Sequence, residues 1–459
     1  MMDNLLFKTH DLSQILDEKE IATADAYCEH YKAFLSAAKT ERETVSQAIE
    51  RAEAQGFSIY DSDKALKPGD KIYYNNRGKA LILAVIGTEP ISSGISIVAA
   101  HTDSPRLDIK VNPLYENHNL AYFDTHYYGG IKKYQWTALP LALHGVVVSK
   151  DGVTHHINIG EDPTDPIFCI TDLLPHLAEE QMKRTGAVVV KGEDLDVLVG
   201  SRSLKGATGD ELTKLNILKI LNEKYGITES DFVSAELEIV PAFPARDIGF
   251  DRSLVGAYGQ DDRVCTYTAL TAILSINQPS FTALTILTDK EEVGSTGNTG
   301  AQSSFIRDFI EDITENLHGN IRRVLSNTFC LSADVIATYD PIYPEVTDYR
   351  NTAVLNRGVV LSKYRGLRGK VETNDTSAEF MAMVRSIFDE GNVNWQIGEG
   401  GKVDAGGGKT IAKFIAANLN VETLDVGVPI LSMHAPLEVV SKLDVYMAHR
   451  AYSAFFERA

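Results

Sequence analysis

The stretch Phe281-Thr-Ala-Leu-Thr-Ile-Leu-Thr-Asp-Lys-Glu291-Glu292-Val-Gly-Ser295 decides how the chain is read. Its first seven residues are apolar and β-prone, the pattern of a buried strand. Two adjacent carboxylates follow, where open α/β sheets place their sites, just past the carboxyl end of a strand. Neighbouring side chains diverge, so Glu291 and Glu292 cannot easily share one task. The natural division has one carboxylate hold a metal ion and the other handle a proton. A Glu-Glu pair taken alone is more often solvated surface, because charged side chains are rarely buried unpaired. Acidic residues and histidines at other strand and helix ends shift that balance.

Upstream, Ile95-Ser-Ile-Val-Ala-Ala100 reads as a buried strand that runs into His101-Thr-Asp103. A His and an Asp two apart at a strand end face the same side, although a core histidine bonded to a carboxylate would look the same. Gly259-Gln-Asp261-Asp262-Arg263 precedes the apolar helix pattern Val264–Leu274, and helix capping is the competing explanation for its acids. Leu331-Ser-Ala-Asp334 embeds an Asp in apolar surroundings. A buried carboxylate is costly unless paired or bound to metal. Leu424–Ile430 is a further strand, leading to Ser432-Met-His434-Ala-Pro436. The gathered residues are His101, Asp103, Asp261, Glu291, Glu292, Asp334 and His434. Imidazole and carboxylate without thiolate suit zinc, manganese or cobalt. Two histidines and three carboxylates suit two ions sharing a bridging carboxylate, with one acid left as general base. The expectation is a two-metal hydrolase.

The remaining chain frames that site. Residues from about 12 to 55 carry helical apolar spacing, with a Thr40/Glu43 capping box and a stop at Gly56. Lys71–Tyr74 and Ala80–Ile86 flank the turn Asn75-Asn-Arg-Gly78 and predict a hairpin. Between 106 and 244 the texture becomes β-rich. His144–Ile159 reads as two alternating strands around Asp151-Gly152, and Ala187–Val190 and Leu195–Val199 continue the pattern, with one helix near Asp210–Tyr225. The fold class is therefore α/β, a two-metal exopeptidase-type catalytic domain (1-105 and 245-459) interrupted by a β-rich domain (106-244). His118, His126, His144, His155 and His156 show no ligand spacing and are read as structural. Ala405-Gly-Gly-Gly-Lys-Thr410 has the tail of a phosphate loop, but the position of its first glycine is Val403.

The whole chain has 459 residues, 44% apolar and 23% charged, enough for two or three domains with an ordinary soluble composition. A net charge of −19 argues against nucleic acid as a partner. The four cysteines are scattered without a C-x-x-C pair, which suits a reducing compartment. No apolar run is long enough to span a membrane, and the first residues lack a signal-peptide pattern. The expected location is the cytoplasm.

In combination, His101-Thr-Asp-Ser-Pro105, Gln260-Asp-Asp-Arg263, Asp289-Lys-Glu-Glu-Val-Gly294, Ser332-Ala-Asp334 and Ser432-Met-His434 resemble the M18 metalloaminopeptidases. This is the family of aspartyl aminopeptidases and aminopeptidase I, and the resemblance covers nearly the whole chain. It implies two divalent ions per subunit, zinc first, with cobalt or manganese also suited. Carried over residue by residue, His101 and Glu292 would bind one ion, Asp334 and His434 the other, and Asp261 would bridge. Glu291 would be the general base, Asp103 would orient His101, and Asp262 would flank the bridge. His176, in Leu173-Leu-Pro-His176-Leu, would reach a neighbouring subunit's site. Lys363, in Gly358-Val-Val-Leu-Ser-Lys363, would meet an acidic side chain of the substrate, although other family members prefer neutral residues. The implied partners are peptides with a free N-terminus and further copies of the chain in a tetrahedral dodecamer. A two-metal N-acyl amino acid deacylase or carboxypeptidase shares the ligand types and is the alternative.

Overall fold

Thr282–Thr288 is a wholly buried strand near the middle of a nine-stranded sheet. The computed structural model describes residues 5–366, 368–404 and 407–458, and all counts refer to these. The sheet runs Ser58–Ile59, Lys71–Asn76, Ala80–Val85, Thr282–Thr288, Ile95–His101, Phe329–Ser332, Glu422–Gly427, Val359–Ser362, Trp395–Ile397. Its four central strands, from Thr282–Thr288 to Glu422–Gly427, are mutually parallel. Parallel strands are buried on both faces, which is why they read as apolar runs rather than alternating ones. In Ile95–His101, Ile95, Ile97 and Ala99 enter one core, and Val98 and Ala100 the other. Each isoleucine buried this way contributes on the order of 1.5–3 kcal/mol.

Helices cover both faces. Glu18–Ala37, Glu41–Ala54, Gln260–Ser275, Ala378–Glu390 and Lys442–Phe456 contribute to the first core, and Phe305–Asn316, Ile321–Ser326 and Ala412–Leu419 to the second. The Thr40/Glu43 capping box forms as the sequence predicts, as does the hairpin, with Lys71–Asn76 antiparallel to Ala80–Val85. Register places Thr288 beside His101 and Ser332 beside both Ala99 and Asp425. The carboxyl ends of the four central strands thus share one edge.

The chain divides into two compact units. One comprises the residues up to Asp103, Ala245–Met433 and those from Leu437 onward; the other is Ser104–Pro244 with His434–Pro436. The second unit is an antiparallel six-stranded sheet in the order Thr154–Ile159, Leu141–Val148, Ala235–Pro241, Arg106–Asn117, Leu120–Tyr128, Val197–Gly200. It also holds the helix Leu212–Tyr225. The Asp151-Gly152 hairpin forms there. Ala187–Val190 does not make the expected strand. It lies in turns, with Val188 N–H bonded to the Thr185 carbonyl and only Val190 buried, so β-propensity found no partner strand to satisfy.

Candidate metal centre

The Glu291-Glu292 turn begins where its strand ends. Lys290 and Gly294 take left-handed backbone angles (φ 68° and 94°) and bracket the short 3-10 turn Glu291–Val293. Asp103 holds that turn. Its Oδ1 accepts the Glu291 N–H at 3.1 Å and its Oδ2 the Glu292 N–H at 3.2 Å. Asp103 also faces His101 Nδ1, with its carbonyl oxygen at 3.0 Å and its carboxylate at 3.4 Å. With Nδ1 so engaged, Nε2 lies 3.3 Å from Asp261 Oδ1. The Thr266 hydroxyl donates to the His101 carbonyl at 2.7 Å and fixes the strand end.

Asp261 and Asp262 have non-helical backbone angles and the helical run proper follows them, which puts Asp262 where a helix cap would sit. Glu438 accepts the Asp261 N–H at 3.0 Å, while the Gln260 amide donates to the carbonyls of Val255 and Glu438. Arg263, wholly buried, donates to the carbonyls of Gly259, Ala38 and Tyr258 at 2.7–2.8 Å. Asp262 Oδ2 accepts the His101 N–H at 3.4 Å. Asp334 follows its strand directly, and Gly427 makes room for it. A Cβ at Gly427 would lie 1.7 Å from the Asp334 carbonyl oxygen.

His101, Asp261 and Asp334 each present a ligand atom within 4.8 Å of the others, and so do His101, Glu291 and Glu292. Two ligands of a tetrahedral zinc ion, each roughly 2.0–2.1 Å from it, stand about 3.3–3.4 Å apart. The 3.3 Å between His101 Nε2 and Asp261 Oδ1 matches that edge. Charge leads to the same fit. Burial, with repulsion from Asp261 and Glu291, drives the Asp334 carboxyl far above its usual range, although Arg365 and His101 oppose it. Burial lifts Asp262 likewise. Burial also lifts Glu291 to about 7; His101 opposes this, and Asp103 and Asp261 add to it. His101 is pulled toward its neutral form by burial, but Asp103 and Asp261 outweigh this and raise its pKa. So many buried acids against so few cations make a site built for divalent metal, whose charge favours the ionised carboxylates.

A family profile described as Aminopeptidase I zinc metalloprotease (M18) matches residues 34–456. The chain belongs to the M18 family of aminopeptidases. The probable M18 family aminopeptidase 1 of Clostridium acetobutylicum is 50% identical over 464 residues, covering 99% of both chains. The crystal structure of an M18 aminopeptidase from Thermotoga maritima superposes with a TM-score of 0.94 at 44% identity, covering 99% of this chain and 100% of its own. A solved dodecamer of S. cerevisiae mApe1 shares the fold at 20% identity, with a TM-score of 0.76 over 94% of this chain and 96% of its own. The protein is an aminopeptidase, a hydrolase of peptide bonds, from a family of zinc metalloproteases. Membership sets this activity ahead of the deacylase and carboxypeptidase alternatives.

For this M18 chain the expectation joins His101 with Glu292 and Asp334 with His434; the His101 ring offers a ligand atom close to Glu292 and also close to Asp334. His434 belongs to the short segment that packs with the second unit, where its Nδ1 lies 2.9 Å from the Gly130 carbonyl. His176 is exposed on a turn of that same unit. The Lys363 ammonium is bound by Asp375 Oδ1 and the Thr376 carbonyl, both at 2.9 Å. In the phosphate-loop tail, Ala405 and Gly406 lie outside the described residues. Lys409 pairs with Glu372, and the Thr410 hydroxyl donates to Asp425 at 2.7 Å. Sequence reasoning missed Asp425 and Arg365. Asp425 sits in an apolar strand, and the cost argument that singled out Asp334 would have found it. Arg365, in Tyr364-Arg-Gly-Leu-Arg, carries no such signal and looks like a surface loop.

Proposed function

We propose that the protein removes single N-terminal residues from peptides with two divalent ions, zinc by preference. His101 and Asp334 would hold one ion, Glu292 and His434 the other, with Asp261 shared. That His434 is a ligand and Asp261 the bridge is carried over from the family resemblance, which joins His434 with Asp334; placing His434 with Glu292 follows from grouping His101 with Asp261 and Asp334. Bound there, the ions supply Lewis acidity toward the scissile carbonyl and toward water. Glu291 takes a proton from the attacking water and passes it to the leaving amine. Asp103 keeps Glu291 in place through its backbone, and His101 through its ring. The observation that carries this reading is the meeting of His101, Asp261, Asp334, Glu291 and Glu292 at the shared carboxyl edge of parallel strands.

Family resemblance further supports a dodecamer in which His176 of one copy completes the site of another, with Lys363 near the substrate's first side chain. A cytoplasmic location is in keeping with four free cysteines and with the absence, among the described residues, of any helix long and apolar enough to cross a membrane. The deciding experiment compares wild type and Glu291→Gln on free-amine and N-acetylated peptides, with chelator and with zinc restored. Chelator-sensitive release from free-amine peptides is expected, and Glu291→Gln should keep its zinc while losing roughly 10²–10⁴-fold in turnover. Near-normal turnover by Glu291→Gln, or cleavage of acetylated peptides only, would overturn the assignment.

A further inference from the structure

Glu438 opens the strand Glu438-Val-Val-Ser441 and is itself only 1% exposed. Burying a carboxylate there costs free energy that an apolar side chain would not, so its place needs a reason. The strand pairs antiparallel with Leu254–Ala257, and the register sets Glu438 against Ala257, just upstream of the turn that carries Asp261. That turn is irregular. Gly259 is left-handed (φ 66°), Asp261 has φ −83° and ψ 106°, and helical angles begin only after Asp262. Side chains hold it in shape. Arg263 donates to the Tyr258 and Gly259 carbonyls, and Glu438 Oε2 accepts the Asp261 N–H at 3.0 Å. The Glu438 carbonyl takes the Gln260 amide at 2.7 Å, while the Tyr31 hydroxyl donates to Gln260 Oε1 at 3.0 Å. Two opposite charges thus grip one turn. Burial disfavours the Arg263 charge, and Tyr258 and Glu438 offset this.

We propose that Glu438 is a positioning residue for the metal centre, clamping Asp261 by its backbone N–H so that the Asp261 carboxylate stays where two ions can share it. The inference rests on the two-ion reading of the site, in which Asp261 is the shared ligand. A carboxylate that serves two ions tolerates little movement, because a shift toward one lengthens its bond to the other. Asp261 Oδ1 stands 3.3 Å from His101 Nε2, the separation of two ligands on one ion. Groups that orient ligands in this way are worth roughly 10–100-fold in metal affinity. A plainer reading makes Glu438 a cap for the helix. A cap takes N–H groups of the first helical turn, whereas Asp261 lies before that turn in non-helical backbone. Another makes Glu438 only the counter-charge of Arg263. The two roles part on reach: the clamp needs the full length of the glutamate, and the counter-charge needs only its sign.

Metal binding to the chelator-stripped protein tests this without turnover. Zinc affinity is read by competition with a chromogenic chelator, and ligand geometry by the visible spectrum of the cobalt-loaded protein. Glu438→Asp keeps the charge but falls short of the Asp261 N–H. It should weaken at least one ion roughly 10–100-fold and alter the cobalt spectrum. Glu438→Gln loses the charge but keeps the reach and an acceptor oxygen, and should hold zinc more tightly than Glu438→Asp does. A merely structural Glu438 would shift the urea midpoint of both variants and leave zinc affinity and the cobalt spectrum as they are. Wild-type zinc affinity in Glu438→Asp would therefore overturn the clamp, as would a Glu438→Asp protein that binds no more weakly than Glu438→Gln. Should Glu438→Gln not fold, Glu438→Asp decides alone. Failure of the two-ion reading is a separate result, seen as fewer than two zinc ions bound per wild-type chain.

Discussion

Asp103 gives the sharpest test of how the site is held. Its two carboxylate oxygens accept the N–H groups of Glu291 and Glu292 at 3.1 and 3.2 Å, and the residue is wholly buried. Asp103→Asn keeps the shape but turns one acceptor into a donor that confronts an N–H. The change removes a charge-assisted bond worth about 1.5–3 kcal/mol and leaves a buried donor unmet, at about 1–3 kcal/mol. The turn can escape part of this penalty by moving, and movement displaces Glu291. If about 3–4 kcal/mol falls on the transition state, kcat drops roughly 10²–10³-fold, since 1.36 kcal/mol is tenfold. KM should shift far less, and zinc content should stay at the wild-type level. The assay is steady-state cleavage of a free-amine peptide, with zinc measured on the same sample. Activity within about threefold of wild type would show that the turn needs no clamp. Loss of zinc with the fold intact would show that Asp103 works through His101 instead.

Arg263→Met should lower stability by about 3–5 kcal/mol, read as a shift of the urea midpoint, because three buried carbonyls lose their donor together; a shift under about 1 kcal/mol would refute that accounting. His449, its Nδ1 3.0 Å from the Thr271 hydroxyl, is pushed down to about 4 chiefly by burial. The unfolded chain protonates it near 6.5, so the protein loses stability as pH falls from about 6.5 to 4, by up to about 3 kcal/mol. His449→Gln should flatten that part of the profile, and an unchanged slope in urea titrations would remove His449 as its source. Stripping metal with a chelator should abolish activity and lower Tm, and zinc at a hundredfold excess over its Kd should restore about 2.7 kcal/mol. A metal-free protein with the holo Tm would show that the buried acids need no cation.

Much of this was legible in the chain because the signals are local. Apolar runs named the strands, and a His or an acid just beyond each run named the candidate ligands. The capping box at Thr40 and the hairpin turns were likewise complete within a few residues. Arg365 was not legible, because its burial beside Asp334 and Val335 depends on segments distant in sequence. Nor could Ala187–Val190 be recognised as turns, since a strand needs a partner and partnering is tertiary. Asp103 was expected to orient His101; its grip on the Glu291 and Glu292 amides depends on two strand ends lying side by side.

Ligand pairing shows most plainly what a sequence leaves out. A parallel sheet brings all its carboxyl ends to one edge, so residues far apart in the chain converge without any signal of which will meet. Strand order decides that. The strand ending in His101 lies between the one that leads to Glu291-Glu292 and the one that leads to Asp334. His101 can therefore approach both, and it is the residue common to the two clusters of this unit. Residue types alone allow His101 to be joined with Glu292 or with Asp334. Had Phe329–Ser332 been inserted on the far side of Thr282–Thr288, the same ligands would stand at the same edge, and His101 would no longer neighbour Asp334. The residue types of the candidate centre are thus readable in the sequence, but which of them come together follows from the order of three strands.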